Sequence, residues 1–379
     1  MLRTIYFKSL FLVGIFGLFI FKYNPLFNVF FELFLVGIFF LSLGRVSINK
    51  RILFYFIINI VYISLSFYYS VILNGDNIKD FLLIYKVFIY LILLTFILNK
   101  PFLSVKSFLF YFKFFIIVFF TKYMISTIIF NSNRPILFYE NNFELMFLAL
   151  LLYLYFVLKG KVEFIYQFII GLTFLLSASI SGLIILFFVL FFINYNIIVK
   201  KIFYLVPIFV ALCLVAASVI AQRTGGEIDL TKNVRFKFLL IFLNETKDWN
   251  FFDFLVGSDR ISALSREACS SLSYWQSLFS YKNDGTCYSV ILHSYILRVI
   301  YDHGVLGLFF IIGYLFKLIK VAKYKSKHAF VIIGVVFING LSVSSFNSIY
   351  FIMGLLFFLV ISRQDEEVNQ YKKAFVINF

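Results

Sequence analysis

Long apolar runs alternate along the chain with short basic or polar breaks. Nine runs come first, at about 5–21, 26–44, 52–73, 81–98, 107–130, 143–158, 163–176, 183–198 and 202–221; three follow, at about 305–319, 329–345 and 349–361. Apolar stretches of roughly 20 residues match a hydrocarbon core of about 30 Å at 1.5 Å per residue. Lipid admits only elements whose backbone polar groups are satisfied internally, and the period-two alternation of a barrel is absent. The pattern predicts an all-α, polytopic membrane bundle of about twelve transmembrane helices. The first run follows Arg3 and lacks a small-residue cleavage site, so it is expected to be a retained span.

The breaks orient the bundle. Arg45, Lys50 and Arg51, then Lys100, Lys159 and Lys161, Lys200 and Lys201, and Lys320 to Lys327 fall in alternate loops. An N-terminus in the cytoplasm puts nearly all of them inside, as the positive-inside rule requires. Both termini are then cytoplasmic, in the inner (plasma) membrane of a bacterium. The organisation expected is nine spans in 1–221, one large periplasmic loop in 222–304, further spans in 305–362 and a cytoplasmic tail in 363–379.

Composition agrees: 63% of residues are hydrophobic, 22% aromatic, and the mean hydropathy is +0.99, against roughly 45–50% apolar usage in soluble domains. The net charge of +16 would suggest nucleic acid in a soluble protein. Here it is spread over short loops, and the aromatic excess is lipid-facing Phe, so no nucleic-acid partner is expected. Cys269 and Cys287 in the long loop can pair if that loop faces an oxidising compartment; they can equally remain thiols or small buried apolar residues.

Charge inside a span is costly and marks candidate function. Glu32, Lys86 and Lys122 fall in the outer halves of their spans, and Arg134 in the adjoining outer loop, a cationic excess suited to an anionic lipid headgroup. Snorkelling accounts equally for Lys86 and better for Lys113; Lys122 is deeper and the stronger candidate. Within the long loop, 233–243 is apolar at helical spacing with basic residues on one side, as in a helix on the membrane surface. Residues 248–285 read as a Ser-rich, partly irregular cap. From 289 the pattern is helical again, which would set His293 and Gly304, eleven apart, on one face about 16 Å from each other. Gly304 and Gly307 allow a bend or a close helix contact.

Arg235 with Leu239, then His293 with Gly304, in the long outer loop before the last spans, resemble the paired motifs of the bacterial O-antigen ligase and O-antigen polymerase superfamily. Arg134 to Phe143 and Leu176-Ser-Ala-Ser-Ile-Ser-Gly182 are similar to two further segments of that family, although the Arg often found after the second Ser is Ile180 here. The resemblance covers nearly the whole chain by architecture and about 80 residues by motif. It implies a GT-C-like, metal-independent, inverting glycosyltransferase with no cofactor. Its donor would be an undecaprenyl-diphosphate-linked glycan, its acceptor a second glycan, and a chain-length regulator and a flippase would be further partners. It also implies roles: His293 as base or acceptor-orienting group, and Arg235 stabilising the departing lipid diphosphate. Arg134, Lys122, Arg298 and Lys86 would be weaker diphosphate or glycan contacts, while Leu239 and Gly304 complete the motifs. A polymerase of O-antigen or capsule repeats is preferred over a ligase to lipid A core.

Blander readings stand beside these. A His at a helix start is commonly a surface or capping residue; Arg235 can bind lipid phosphate alone; His303 can be part of a helix end and His328 a solvated residue of a basic loop. Glu227 and Asp229 have metal-pair spacing but lie after the ninth run rather than in an early outer loop. A lipid-linked glycan flippase is the alternative from another class, yet no internal repeat is visible and only Pro207 interrupts a run.

Overall fold

The computed structural model describes residues 2–44, 48–132, 134–195, 234–259 and 261–361. The ninth expected span, the Glu227 and Asp229 pair and the tail lie outside them. Among the described residues every regular element is helical, and the only pairings of extended backbone are two isolated bridges, Leu103 with Ile361 and Ala263 with Tyr288.

The apolar runs become helices α1 (Leu2–Phe19), α2 (Leu26–Leu43), α3 (Lys50–Phe67), α4 (Ile78–Ile84), α5 (Lys86–Ile97), α6 (Val105–Met124), α7 (Asn141–Lys159), α8 (Phe164–Leu176) and α9 (Ile180–Ile193). The long loop contributes α10 (Val234–Glu245), α11 (Phe251–Val256) and α12 (Arg266–Ser271); α13 (Tyr295–Val321), α14 (Ser326–Gly340) and α15 (Ile349–Val360) close the described chain. Among the described residues, five helices are long and apolar enough to cross a bilayer: Leu26–Leu43, Lys50–Leu73, Val105–Ile129, Asn141–Lys159 and Tyr295–Val321. The protein is a membrane-embedded helical bundle. Helices α7 and α15 are its axis. α15 is buried on every side and α7 on nearly every side, as expected of a helix that is apolar all round. They meet where a Cβ on Gly354 would stand 2.6 Å from Leu150 Cδ1, the close approach that a small residue permits.

Two elements depart from the sequence pattern. The run at 81–98 is not one straight helix: α4 and α5 meet at Tyr85 with a 69° bend. Neither Gly nor Pro causes it. The Leu83 carbonyl, freed by the bend, accepts from Arg298 Nη2 at 2.5 Å and Asn347 Nδ2 at 3.1 Å, and the freed Val87 N–H donates to Asn347 Oδ1 at 3.0 Å. Partners from the far end of the chain thus satisfy the opened backbone.

The second departure is at 289–304. A short 3-10 turn (Ser289–Leu292) stops at His293, and α13 begins only at Tyr295, so His293 is not on that helix and the shared-face geometry with Gly304 does not hold. The bend expected at Gly304 is present, at φ 68° and ψ −179°. Its cause is α11: a Cβ on Gly304 would stand 2.2 Å from the Leu255 carbonyl oxygen, and one on Gly257 would stand 2.6 Å from Gly304 N. The two glycines let backbone meet backbone, at positive φ in both.

Gly304→Ala is therefore expected to lower the thermal unfolding midpoint of detergent-solubilised protein sharply, by the equivalent of at least about 3 kcal/mol, since strained φ and a backbone clash add. Gly171→Ala, where a Cβ meets nothing within 4 Å, should leave the midpoint unchanged. Equal midpoints for the two variants would refute the Gly257–Gly304 contact.

Candidate functional site

The site begins with a buried carboxylate. Glu144, one turn into α7, is fully buried, and its two oxygens accept the N–H groups of Leu137 (2.7 Å), Phe138 (2.7 Å) and Tyr139 (2.5 Å) and the Tyr123 hydroxyl (3.3 Å). A carboxylate in an apolar interior needs such donors. By collecting three consecutive N–H groups it winds the 134–140 loop back over the start of α7 and fixes where Arg134 stands.

The start of α9 is built against that of α7. Ser179 caps α9 by accepting Gly182 N–H at 3.1 Å, and its hydroxyl donates to Asn142 Oδ1 at 2.6 Å, which Ser181 joins at 3.2 Å. Asn141 Nδ2 donates to the Ser177 carbonyl, and Asn339 Nδ2 to that of Asn142, each at 3.2 Å. α10 lies over these termini. Arg134, Asn141, Asn142, Ser179, Ile180 and Arg235 line one small cleft with room for about 10 Å³, a single water. Three segments that the sequence set apart, 134–143, 176–182 and the Arg235 helix, thus converge. Glu140 belongs to the same group. Burial pushes its carboxyl up, and the charges of Arg134 and Arg235 draw it back. Enclosure and Arg134 act against the charge on Arg235, which Glu140 supports. Two guanidinium groups and one carboxylate leave the cleft positive.

No protein-family model matches this chain, and no curated protein or solved structure is significantly similar to it. The site must be read from its own geometry.

α10 also carries the cap. Phe238 and Phe242 pack under Leu264, Leu272, Ile291 and Tyr301 in a second, smaller core that Cys269 and Cys287 join as a disulfide. The cap is tied to the turn between α3 and α4 and to the first turn of α4. Asp80 accepts from Ser280 Oγ at 2.7 Å and Tyr281 N at 3.1 Å, and Lys282 pairs with Asp76 at 2.9 Å. His293 hangs beneath, its ring 5.4 Å from that of Phe238, one turn along from Arg235. At φ 52° and ψ −44° it is the centre of a γ-turn closed by Ser294 N donating to the Leu292 carbonyl, a rare and strained conformation. Ser344 holds it there by donating to the His293 carbonyl at 2.9 Å. Burial first, then the charges of Arg298 and Arg235, hold the imidazole below the ordinary histidine range. Arg235 and His293 are thus electrostatic neighbours, both close to the start of α13.

The other candidates are elsewhere. Lys122 is fully buried, donates to the Leu18 and Ile20 carbonyls at 3.1 and 2.6 Å and covers the Phe21 ring: it closes the end of α1 and does not line the cleft. Lys86 pairs with Glu32, whose carboxylate also accepts from Tyr90. Arg298 serves the α4–α5 break and lies 3.9 Å from Asp302. Leu239 is exposed, and Gly304 is the backbone contact described above. His303 is buried with its Nδ1 2.8 Å from the Tyr62 hydroxyl; His328 meets the Tyr153 hydroxyl at 2.9 Å. Glu140, Asn142, Glu144 and Ser344 were not singled out in the sequence. Acidic and Asn residues at the head of an apolar run signal a helix start, which would have found the first three; nothing near Ser344 points to it.

Two measurements test the site. In Glu144→Gln one acceptor oxygen becomes a donor facing backbone N–H groups. The unfolding midpoint should fall by the equivalent of about 3 kcal/mol, and 131–140 should become open to protease; an unchanged protease pattern would refute the anchoring role. By NMR of 13C-labelled histidines in nanodiscs, His293 should titrate below the ordinary 6.5 and move up toward it in Arg235→Ala, because removing a nearby cation makes protonation easier. An unmoved midpoint would show that the two do not interact.

Proposed function

We propose that the chain is a glycosyltransferase using a polyprenyl-diphosphate-linked glycan, of the O-antigen polymerase type, with transfer to lipid A core by a ligase as the near alternative. The observation that carries this reading is the convergence of Arg134 and Arg235 on one cleft beside His293. An anion with paired phosphoryl groups suits two guanidinium groups, which stay protonated and bind bidentately. The Cys269–Cys287 disulfide favours a cap in an oxidising compartment, in keeping with a periplasmic loop and about twelve spans.

In the reaction, an acceptor hydroxyl oxygen attacks the anomeric carbon of the donor sugar. The bond from that carbon to the diphosphate oxygen breaks with inversion, and its electron pair leaves with the lipid diphosphate. His293, neutral at pH 7, takes the hydroxyl proton, and Arg235 and Arg134 stabilise the charge growing on the leaving group. The cleft as described is too small for a diphosphate, so α10 moves off α7 and α9 to admit it.

The 69° break between α4 and α5 favours a second reading, since interrupted helices are common in transporters. The experiment that separates them replaces the gene with Arg235→Ala or Arg235→Lys and compares protein level, surface polysaccharide on gels and lipid-linked intermediates. The proposal expects normal protein, extension reduced at least about 100-fold in Arg235→Ala, little rescue by Lys, and lipid-linked units accumulating at the outer face. One repeat on core indicates a polymerase and long chains held on the carrier a ligase. Units retained on the cytoplasmic side, or a normal ladder, would overturn the enzymatic reading.

A further inference from the structure

A concave surface beside the cap is chemically unlike the Arg cleft. It is a groove of about 810 Å³ between the π-helical end of α3 (Tyr68–Leu73) and α11, within the roughly 300–1,000 Å³ of ligand pockets. Tyr68, Tyr69 and Trp249 supply aromatic faces and Asp253 and Asp259 carboxylates, and none of the described residues that line it is Lys or Arg; Arg260, next to Asp259, lies outside the described residues.

The walls are fixed. Trp249 stacks on Tyr301, ring centroids 5.5 Å apart at 24°, with Phe254 against its edge at 5.3 Å. Asp253 is held by its capping box with Asn250, whose N–H it accepts at 2.8 Å. Gly257 seats α11 on α13. Tyr68 and Tyr69, in the last turns of the Lys50–Leu73 helix, are 53% and 42% exposed on the protein surface.

We infer that this groove binds the sugar portion of the glycan, as neutral or amino-bearing residues. A pyranose presents an apolar C–H face, which packs on a rigid ring, and a rim of hydroxyls, which donate to carboxylates. Phosphate is disfavoured by the like charge of Asp253 and Asp259, and a lipid tail by the cost of placing those carboxylates against it. Aromatic residues at a membrane interface are common; a concave wall whose described residues add two carboxylates is a different surface. The assignment rests on the proposed function only for the source of the glycan.

The test uses full-length protein in nanodiscs. Trp249 and Trp275 are the two tryptophans, so Trp275→Phe leaves Trp249 as sole reporter. The probe is the oligosaccharide mixture released by mild acid from the source cell's own surface polysaccharide. A saturable change in Trp249 emission is expected, weakened at least about tenfold by Tyr68→Ala and by Asp259→Asn and preserved in Arg235→Ala. No change, or one indifferent to Tyr68 and Asp259, overturns the inference. If Arg235→Ala abolishes extension while Trp249 stays silent, the groove assignment fails and the enzymatic reading stands; if Trp249 responds while gene deletion leaves the polysaccharide intact, the reverse holds.

Discussion

A single buried anion sets the geometry of the positive cleft. Glu144 is sealed inside the bundle, where an unsatisfied carboxylate would cost several kcal/mol. It is tolerable because the chain just before α7 brings three N–H groups to it, with Tyr123 as a fourth donor. The loop has no freedom to do otherwise, since those N–H groups would themselves be orphaned. Arg134 and Glu140 bracket that wound segment, so their positions follow from a residue that touches neither substrate nor solvent. Lys122 lies within electrostatic reach of Glu144, which gives its charge a structural reason to be so deep.

The other half of the site rests on interrupted helices. Opening α4–α5 at Tyr85 exposes one carbonyl and one N–H, and Arg298 and Asn347 close both. Asn347 is three residues from Ser344, which fixes His293 through its carbonyl, while Arg298 is 3.5 Å from the same Ser344 hydroxyl. The break in one span and the strained turn at His293 therefore share a polar seam between α4–α5, α13 and the α14–α15 corner. Strain of this kind persists only where surrounding contacts over-determine it, and here they do.

Much of the bundle was legible because lipid imposes a single rule. Apolar runs at 26–44, 52–73 and 143–158 became helices within three residues of those limits at either end, and Asn77, Ser104 and Ser179 cap helices as their types suggest. The grouping of Arg134, the 176–182 turn and Arg235 was foreshadowed by the motifs. The bend at Tyr85 was invisible because its causes, Arg298 and Asn347, are more than 200 residues away. His293 was misplaced because periodicity reports which face a residue occupies only if the helix is unbroken, and one positive φ ends it. Lys122 and Lys86 looked like ligand groups because a span shows its charges in sequence and hides the carbonyls and carboxylate that take them.

The two concave sites differ in charge. The Arg134–Arg235 cleft is small and positive; the Trp249 groove is wide, aromatic and acidic. A lipid-linked glycan has the same asymmetry, an anionic diphosphate joined to a largely uncharged chain. If a single basic pocket took both parts, affinity would be dominated by phosphate and every lipid headgroup would compete. On the proposed function, separating the charges would let the carboxylates reject free headgroups while the guanidinium groups hold the diphosphate, so that discrimination would arise from a repulsive element as well as an attractive one. α10 is the physical link. It carries Arg235 near its start and leads through Glu245, bonded to Ser265, into Trp249.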